Sequence, residues 1–225
     1  MTTSETEMIK RTPVAYAQRA SNPKMGELHG MEVALAFEGA SIETARKSVL
    51  GVTDVSCFQR FSVKGPQAAA WLESQGLKLP AEINSWVETA PGTLALRLGG
   101  SEFLIEDQFS SKTCSRLHGF NQAAVPGAYQ VQRADAAFIL SGREVLNLLS
   151  ELCMLDLRDS ALAGNAVVMT QVAGISATLL RQQLNGQQVY RVWCDGTYGP
   201  YMWDMLLEIA KELGGGAVGL SCHFK

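Results

Sequence analysis

The feature that most limits what this chain can fold into is an internal repeat. Phe61-Ser62-Val63-Lys64-Gly65 runs into Pro66, Ala68, Trp71 and Leu72, and Phe138-Ile139-Leu140-Ser141-Gly142 later runs into Val145, Leu148, Leu149 and Leu152. The same spacing, 77 residues, separates Phe61 from Phe138, Gly65 from Gly142 and Leu72 from Leu149. Apolar residues alternate before each glycine, as in a strand, and recur at i, i+3 and i+4 after it, as in a helix. Pro66 suits a first helical turn, where its missing N–H has no partner to lose. Each copy therefore predicts a strand, a glycine turn and an amphipathic helix.

The segments after the two copies extend the parallel. Leu94, Leu96 and Leu98 alternate, Gly99-Gly100-Ser101 turns the chain, and Phe103-Leu104-Ile105 returns. In the second copy Ala177–Arg181 and Val189–Trp193 flank Asn185-Gly186, a pair that tolerates the positive φ angles of a tight hairpin. The second copy adds a helix from about Pro200 to the Gly214-Gly215-Gly216 stop. Its residues Tyr201, Met202, Trp203, Met205, Leu206, Leu207 and Ile209 lie nearly all the way round, so the helix is expected to be covered on both sides by the core or by a partner subunit. The fold class is α+β, built from two strand-helix-hairpin halves.

Residues 1–30 lack a sustained period and are broken by Pro13, Asn22-Pro23, Gly26 and Gly30, which predicts a flexible arm, or one ordered by lying on another surface. With 225 residues, 47% of them apolar, the chain can bury a core without disulfides or metal. The 19 basic and 22 acidic residues form no basic stripe, which argues against nucleic acid as a partner. No window approaches the 18 apolar residues of a membrane span, and the polar start, Met1–Lys10, does not read as a secretion signal. Five scattered cysteines (Cys57, Cys114, Cys153, Cys194, Cys222) point to reduced thiols and a cytoplasmic protein.

No catalytic, cofactor-binding or metal constellation is legible. His29, His118 and His223 are far apart, without Cys or carboxylate at ligand spacing, and His223 reads as an exposed tail residue. Gly214–Gly219 matches G-x-G-x-x-G, but it comes after a helix instead of a strand and only six residues remain beyond it, so it reads as a helix stop. Gly65 and Gly142 precede helices, where an anion could bind, but a tight turn is the simpler role. Asp54, Asp156 and Asp195 read as caps or turns. The loop Cys194–Tyr201, with Trp193, Tyr198, Tyr201 and Trp203, could stack a flat ring, anchor an interface, or simply pack around a turn.

Val49-Leu50-Gly51-Val52-Thr53-Asp54-Val55-Ser56 followed by Phe61-x-Val63-x-Gly65-Pro66-x-Ala68 resembles the opening of the tetrahydrofolate-binding aminomethyltransferase (T-protein) superfamily. Cys153-Met154-Leu155-Asp156-Leu157-Arg158, Thr170, Gly174, Val192-Trp193 and Tyr201-Met202-Trp203-Asp204 look more like the gamma subunit family of heterotetrameric sarcosine oxidase. The resemblance covers roughly residues 49–213. It implies a gamma-like domain over residues 31–222, with a first half at about 49–125 and a second at about 126–222. The superfamily's catalytic acid pair would fall at Ala95 and Leu96, which cannot take a proton, and the Lys-Gly-Cys-Tyr-x-Gly-Gln motif of its iron–sulfur-biogenesis branch is absent.

The resemblance thus implies a scaffold without chemistry of its own. FAD, FMN, NAD and tetrahydrofolate would belong to larger flavin- and folate-binding subunits that demethylate sarcosine oxidatively. A subunit of a related N-methyl amine dehydrogenase, a free-standing folate-dependent enzyme or folate sensor, and a generic interaction module remain open alternatives.

Overall fold

The computed structural model describes residues 10–157 and 161–224. Residues 1–9 and Arg158 of the Leu-Asp-Leu-Arg motif lie outside the described residues. The chain runs β1 (Lys10–Arg11), α1 (Ala15–Arg19), β2 (Lys24–Leu28), β3 (Met31–Ala36), α2 (Ala40–Leu50), β4 (Gly51–Asp54), β5 (Gln59–Lys64), α3 (Ala68–Ser74), β6 (Ser85–Ala90), β7 (Thr93–Gly99) and β8 (Glu102–Asp107). It continues α4 (Thr113–Leu117), β9 (Tyr129–Val131), β10 (Asp135–Ser141), α5 (Val145–Leu152), β11 (Val167–Val172), β12 (Ile175–Leu184), β13 (Gln187–Asp195), α6 (Gly199–Glu212) and β14 (Gly216–Ala217). Helix and sheet are mixed as the periodicities predict.

Two sheets carry the repeat. One is ordered β6-β7-β8-β5-β9 and the other β11-β12-β13-β10-β4-β14. Each repeat supplies a strand, a helix and a three-stranded meander, β5-α3-β6-β7-β8 and β10-α5-β11-β12-β13. Periodicity showed the hairpins but not their outer strands β6 and β11. The fifth place in each sheet is exchanged: β4, just before β5, pairs with β10, while β9, just before β10, pairs with β5. A boundary near residue 125 therefore divides the sequence repeat but not the sheets.

The two-residue period of the strands sets the layers. On β10, Ala136, Phe138 and Leu140 pack with α5 and α6, whereas Ala137 and Ile139 pack against the other sheet. On β8, Phe103 and Ile105 pack with α3 and α4, and Leu104 faces the opposite sheet. The order is helices, sheet, sheet, helices, with a central apolar layer between the sheets.

Three expectations are corrected. Residues 10–30 are not a flexible arm. They form β1, α1 and β2, which with β3 make a three-stranded sheet, and they are tied down by Val14, fully buried beside α6, and by Gln18, bonded to Asp54. Order here comes from long-range contacts, which leave no local period. Helix α6 is one-sided: Met202, Trp203, Leu206, Leu207 and Ala210 are buried, and Tyr201, Asp204, Glu208 and Lys211 are exposed. Its charged residues, not its many apolar ones, mark the solvent face. His223 is 4% exposed, enclosed with the turn Leu220–Cys222, and is no loose tail.

Candidate functional site

Strand alternation also places charge between the sheets. Glu106 comes after Ile105 on β8 and so faces the partner sheet, directly across from Arg60 in the β5–β8 register. Arg191 and Trp193 occupy the inward positions of β13. Arg60 Nε donates to Glu106 Oε2 at 2.7 Å, Trp193 Nε1 donates to the same oxygen at 2.6 Å, and Arg191 Nη2 donates to Oε1. Arg60 also donates to the carbonyls of Ser56 and Val55, and Arg191 to Gln182 Oε1. The Arg191 guanidinium lies over the rings of Phe58 and Trp193.

The cluster decides what Glu106 can do. Burial raises its pKa, but the two guanidinium groups and the indole N–H outweigh burial and hold the carboxyl below its ordinary range. Both oxygens accept from buried donors and the side chain is fully buried, so the carboxylate serves as a structural counter-ion. Ala95 and Leu96 are fully buried on β7, one toward the helices and one between the sheets.

Asp54, at the end of β4, is another buried acid. Ser56 N–H and Oγ donate to its Oδ1 at 2.9 and 2.5 Å, and Gln18 Nε2 donates to Oδ2 at 3.1 Å. Burial raises its pKa more than these bonds lower it. A raised carboxyl pKa means the folded state holds its proton more tightly, so this group's contribution to stability falls as pH rises from 3.8 through the folded value. Asp54→Asn is therefore expected to be at least as stable as the wild type at pH 7 in urea unfolding. Asp54→Ala should lose about 1–3 kcal/mol by leaving buried donors unpaired.

Beside this acid opens a cleft of about 390 Å³. The turn Ser56–Gln59 forms one wall, His29 lies along it, and Lys10, Arg11, Arg60, Arg133 and Asp135 supply its charge. Arg133 is paired with Asp135 and Arg11 with Glu32. Arg60 is held by Glu106, so the positive character of the cleft toward a ligand rests chiefly on Lys10. The cysteine beside it is a poor nucleophile, because burial pushes the Cys57 thiol up. Cys114, Cys194 and Cys222 are raised by burial as well, Cys194 to about 12. Among the described residues no group of three or more His, Cys, Asp or Glu side chains could hold a metal ion.

The aromatic set read from the sequence divides. Trp193 and Trp203 are each 1% exposed: Trp193 is bonded to Glu106, and Trp203 stacks on Phe37 at 5.8 Å. As core residues they cannot anchor a partner. Tyr198 and Tyr201 are half exposed at the start of α6. Asp195 makes the expected turn, accepting from Thr197 N–H and Oγ1. The turn glycines also fit the simpler reading. Behind Gly65, Gln67 N–H donates to the Gly127 carbonyl, and behind Gly142, Glu144 N–H donates to the Val49 carbonyl. Protein carbonyls take the amides that an anion would need. No helix of the described residues is long and apolar enough to cross a membrane.

No protein-family model matches the chain. Curated relatives do. An aminomethyltransferase of Desulforamulus reducens is 24% identical over 229 residues, covering 96% of this chain and 62% of the relative. One from Deinococcus deserti is 23% identical over 223 residues, covering 93% and 62%. Among solved structures, the glycine cleavage system aminomethyltransferase T of Bartonella henselae superposes with a TM-score of 0.73 at 16% identity, over 96% of this chain and 61% of that one. A chain of heterotetrameric sarcosine oxidase from Corynebacterium sp. U-96 superposes with a TM-score of 0.67 at 19% identity, over 94% of this chain and the whole of the other. The chain spans about three fifths of the length of its curated relatives. The fold implied by the motifs stands: it is that of aminomethyltransferase T, shared with a chain of heterotetrameric sarcosine oxidase.

Proposed function

We propose that this chain is a non-catalytic, gamma-type subunit of a sarcosine oxidase-like flavoenzyme in the cytoplasm. The state of the central carboxylate carries the reading. In place of a base facing a pocket, the inter-sheet position holds Glu106 locked by Arg60, Arg191 and Trp193. The match over the full length of an oxidase chain supports the kind of assembly. In that assembly larger subunits hold FAD, FMN, NAD and tetrahydrofolate and oxidise sarcosine to glycine, passing the released carbon to folate. This chain contributes a folded body.

A second reading, folate binding by this chain itself, is favoured by the cationic cleft along Ser56–Gln59. One pair of measurements separates the two. Co-expressed with candidate flavin-bearing chains, the protein should co-purify with flavin and gain solubility, while the chain alone should not respond to tetrahydrofolate in calorimetric titration. A stable monomer that ignores those chains and binds tetrahydrofolate at micromolar concentration overturns the scaffold reading. In that case Lys10→Gln, on the cleft wall, should weaken the binding about tenfold, as expected for losing one charge-assisted contact.

A further inference from the structure

A second cavity, of about 590 Å³, shares no lining residue with the cationic cleft. It falls within the size range of small-molecule sites. Four separate pieces of chain enclose it. Helix α2 supplies Lys47, the segment after β8 supplies Phe109 and Ser110, the β12–β13 turn supplies Asn185, and the residues after the last turn supply His223 and Phe224. Two bonds clip that last segment in place: Asn185 Nδ2 donates to the His223 carbonyl and Lys47 Nζ to the Cys222 carbonyl, both at 2.9 Å. The walls are thus built from long-range contacts.

The lining has a consistent chemistry. Phe109 and Phe224 lie parallel, 2° apart with centroids at 5.9 Å, and Phe58 braces Phe224 edge-on at 5.4 Å. They make a braced aromatic wall, the geometry that stacks a flat ring. Among the described residues Lys47 brings the only charge to the lining, and no carboxylate side chain stands there. Its ammonium has three donors and gives one to Cys222. The nearest acid on its helix, Glu43, is engaged by the N–H groups of Phe37, Glu38 and Gly219. His223 is more than nine-tenths buried, and its Nε2 has no hydrogen-bond partner among the described residues. Burial, with Lys47 and Arg191 nearby, holds the imidazole pKa down at about 3, so the ring is neutral at physiological pH.

We propose that this cavity binds a flat aromatic acid, its ring against Phe109 and Phe224 and its anionic group on Lys47. The site is independent of the subunit reading and of the cleft beside Asp54.

The test uses the full chain in whichever state it purifies, alone or with its partners. The probe is 2-naphthoate, with 2-naphthylmethanol as its uncharged counterpart, monitored by saturation-transfer NMR and calorimetry. Naphthoate should bind and the alcohol should bind roughly tenfold more weakly, the effect of losing a charge-assisted bond. Lys47→Met should weaken naphthoate by a similar factor and erase its advantage over the alcohol. Phe109→Ala should weaken both probes alike. Lys10→Met, in the other cleft, should change neither. Lys47→Met also removes the bond to the Cys222 carbonyl, so the alcohol, which needs the wall but not the charge, reports whether the cavity survives: its binding should be unchanged in Lys47→Met. Absence of naphthoate binding, equal binding of acid and alcohol, or loss in Lys10→Met with retention in Lys47→Met each overturns the proposal.

Discussion

Glu106→Ala is expected to lower the unfolding free energy by about 3–5 kcal/mol, read from urea unfolding at pH 7. The magnitude comes from what the substitution leaves behind. Arg60 and Arg191 have side chains only 6% and 1% exposed, and Glu106 is the counter-ion they share. Without it two guanidinium groups face each other across the sheet boundary with no water to take the charge, and Trp193 loses its acceptor. A domain of this size is stable by about 5–15 kcal/mol, so the loss is a large share of the total. Replacing all three residues together, as Glu106→Leu with Arg60→Met and Arg191→Met, should cost less than Glu106→Ala alone, because no charge is then stranded. A triple variant less stable than the single one would show that the cluster contributes net stability and is more than a mutually cancelling set of charges.

The same cluster fixes a pH dependence of known sign. Glu106 has a folded-state pKa below the ordinary glutamate value of 4.5. Its contribution is therefore complete above pH 4.5 and is lost as pH falls through the folded value. Acid unfolding of the wild type should include this proton uptake, and Glu106→Gln should lack it, giving a shallower loss of stability below pH 4.5. Asp54 works in the opposite sense. These two buried acids thus respond to acid in opposing senses, and Asp54→Asn and Glu106→Gln separate them.

The range of each interaction decides how much of the fold and the site was legible in the sequence. The strand-glycine-helix units at Phe61–Leu72 and Phe138–Leu149 could be read because neighbouring residues carry the pattern. The β12–β13 hairpin was legible for the same reason, and Asn185 and Gly186 do adopt φ of 52° and 77°. The exchange of β4 and β9 was not, since pairing between strands leaves no local trace. Nor was the ion cluster, whose members stand 46 and 85 positions apart. A hint was nevertheless present. Arg191 sits between Tyr190 and Val192 in the otherwise apolar stretch Val189–Cys194, and Glu106 closes the apolar run Phe103–Ile105. A charge within such a run must be exposed, paired or expelled, and two of opposite sign could have been proposed as a pair. The cavity at Lys47 gathers four segments and had no signature in any one of them.

Gly142→Ala and Gly65→Ala are expected to cost about 2–6 kcal/mol each, combining backbone strain with overpacking. Both glycines have positive φ, +110° and +119°. A Cβ at Gly142 would stand 2.4 Å from the Val49 carbonyl oxygen, and one at Gly65 would stand 2.3 Å from that of Gly127. Those two carbonyls belong to the segments leading into β4 and β9, the strands exchanged between the sheets, and each accepts from the N–H two residues past its glycine. The glycines are thus the places where each half admits the other half's strand. Pushing the crossing carbonyl away breaks that bond and loosens the exchanged strand, so the damage spreads from the turn to the joint between halves. Gly76→Ala separates the effects: its φ is +80°, nothing lies within 4 Å of the added methyl, and only the strain of about 1–2 kcal/mol should appear. Amide exchange adds the spatial readout. In Gly142→Ala the protection lost first should be that of β4 against β10, and in Gly65→Ala that of β9 against β5. Equal costs for all three alanines would mean that strand exchange contributes nothing to the joint.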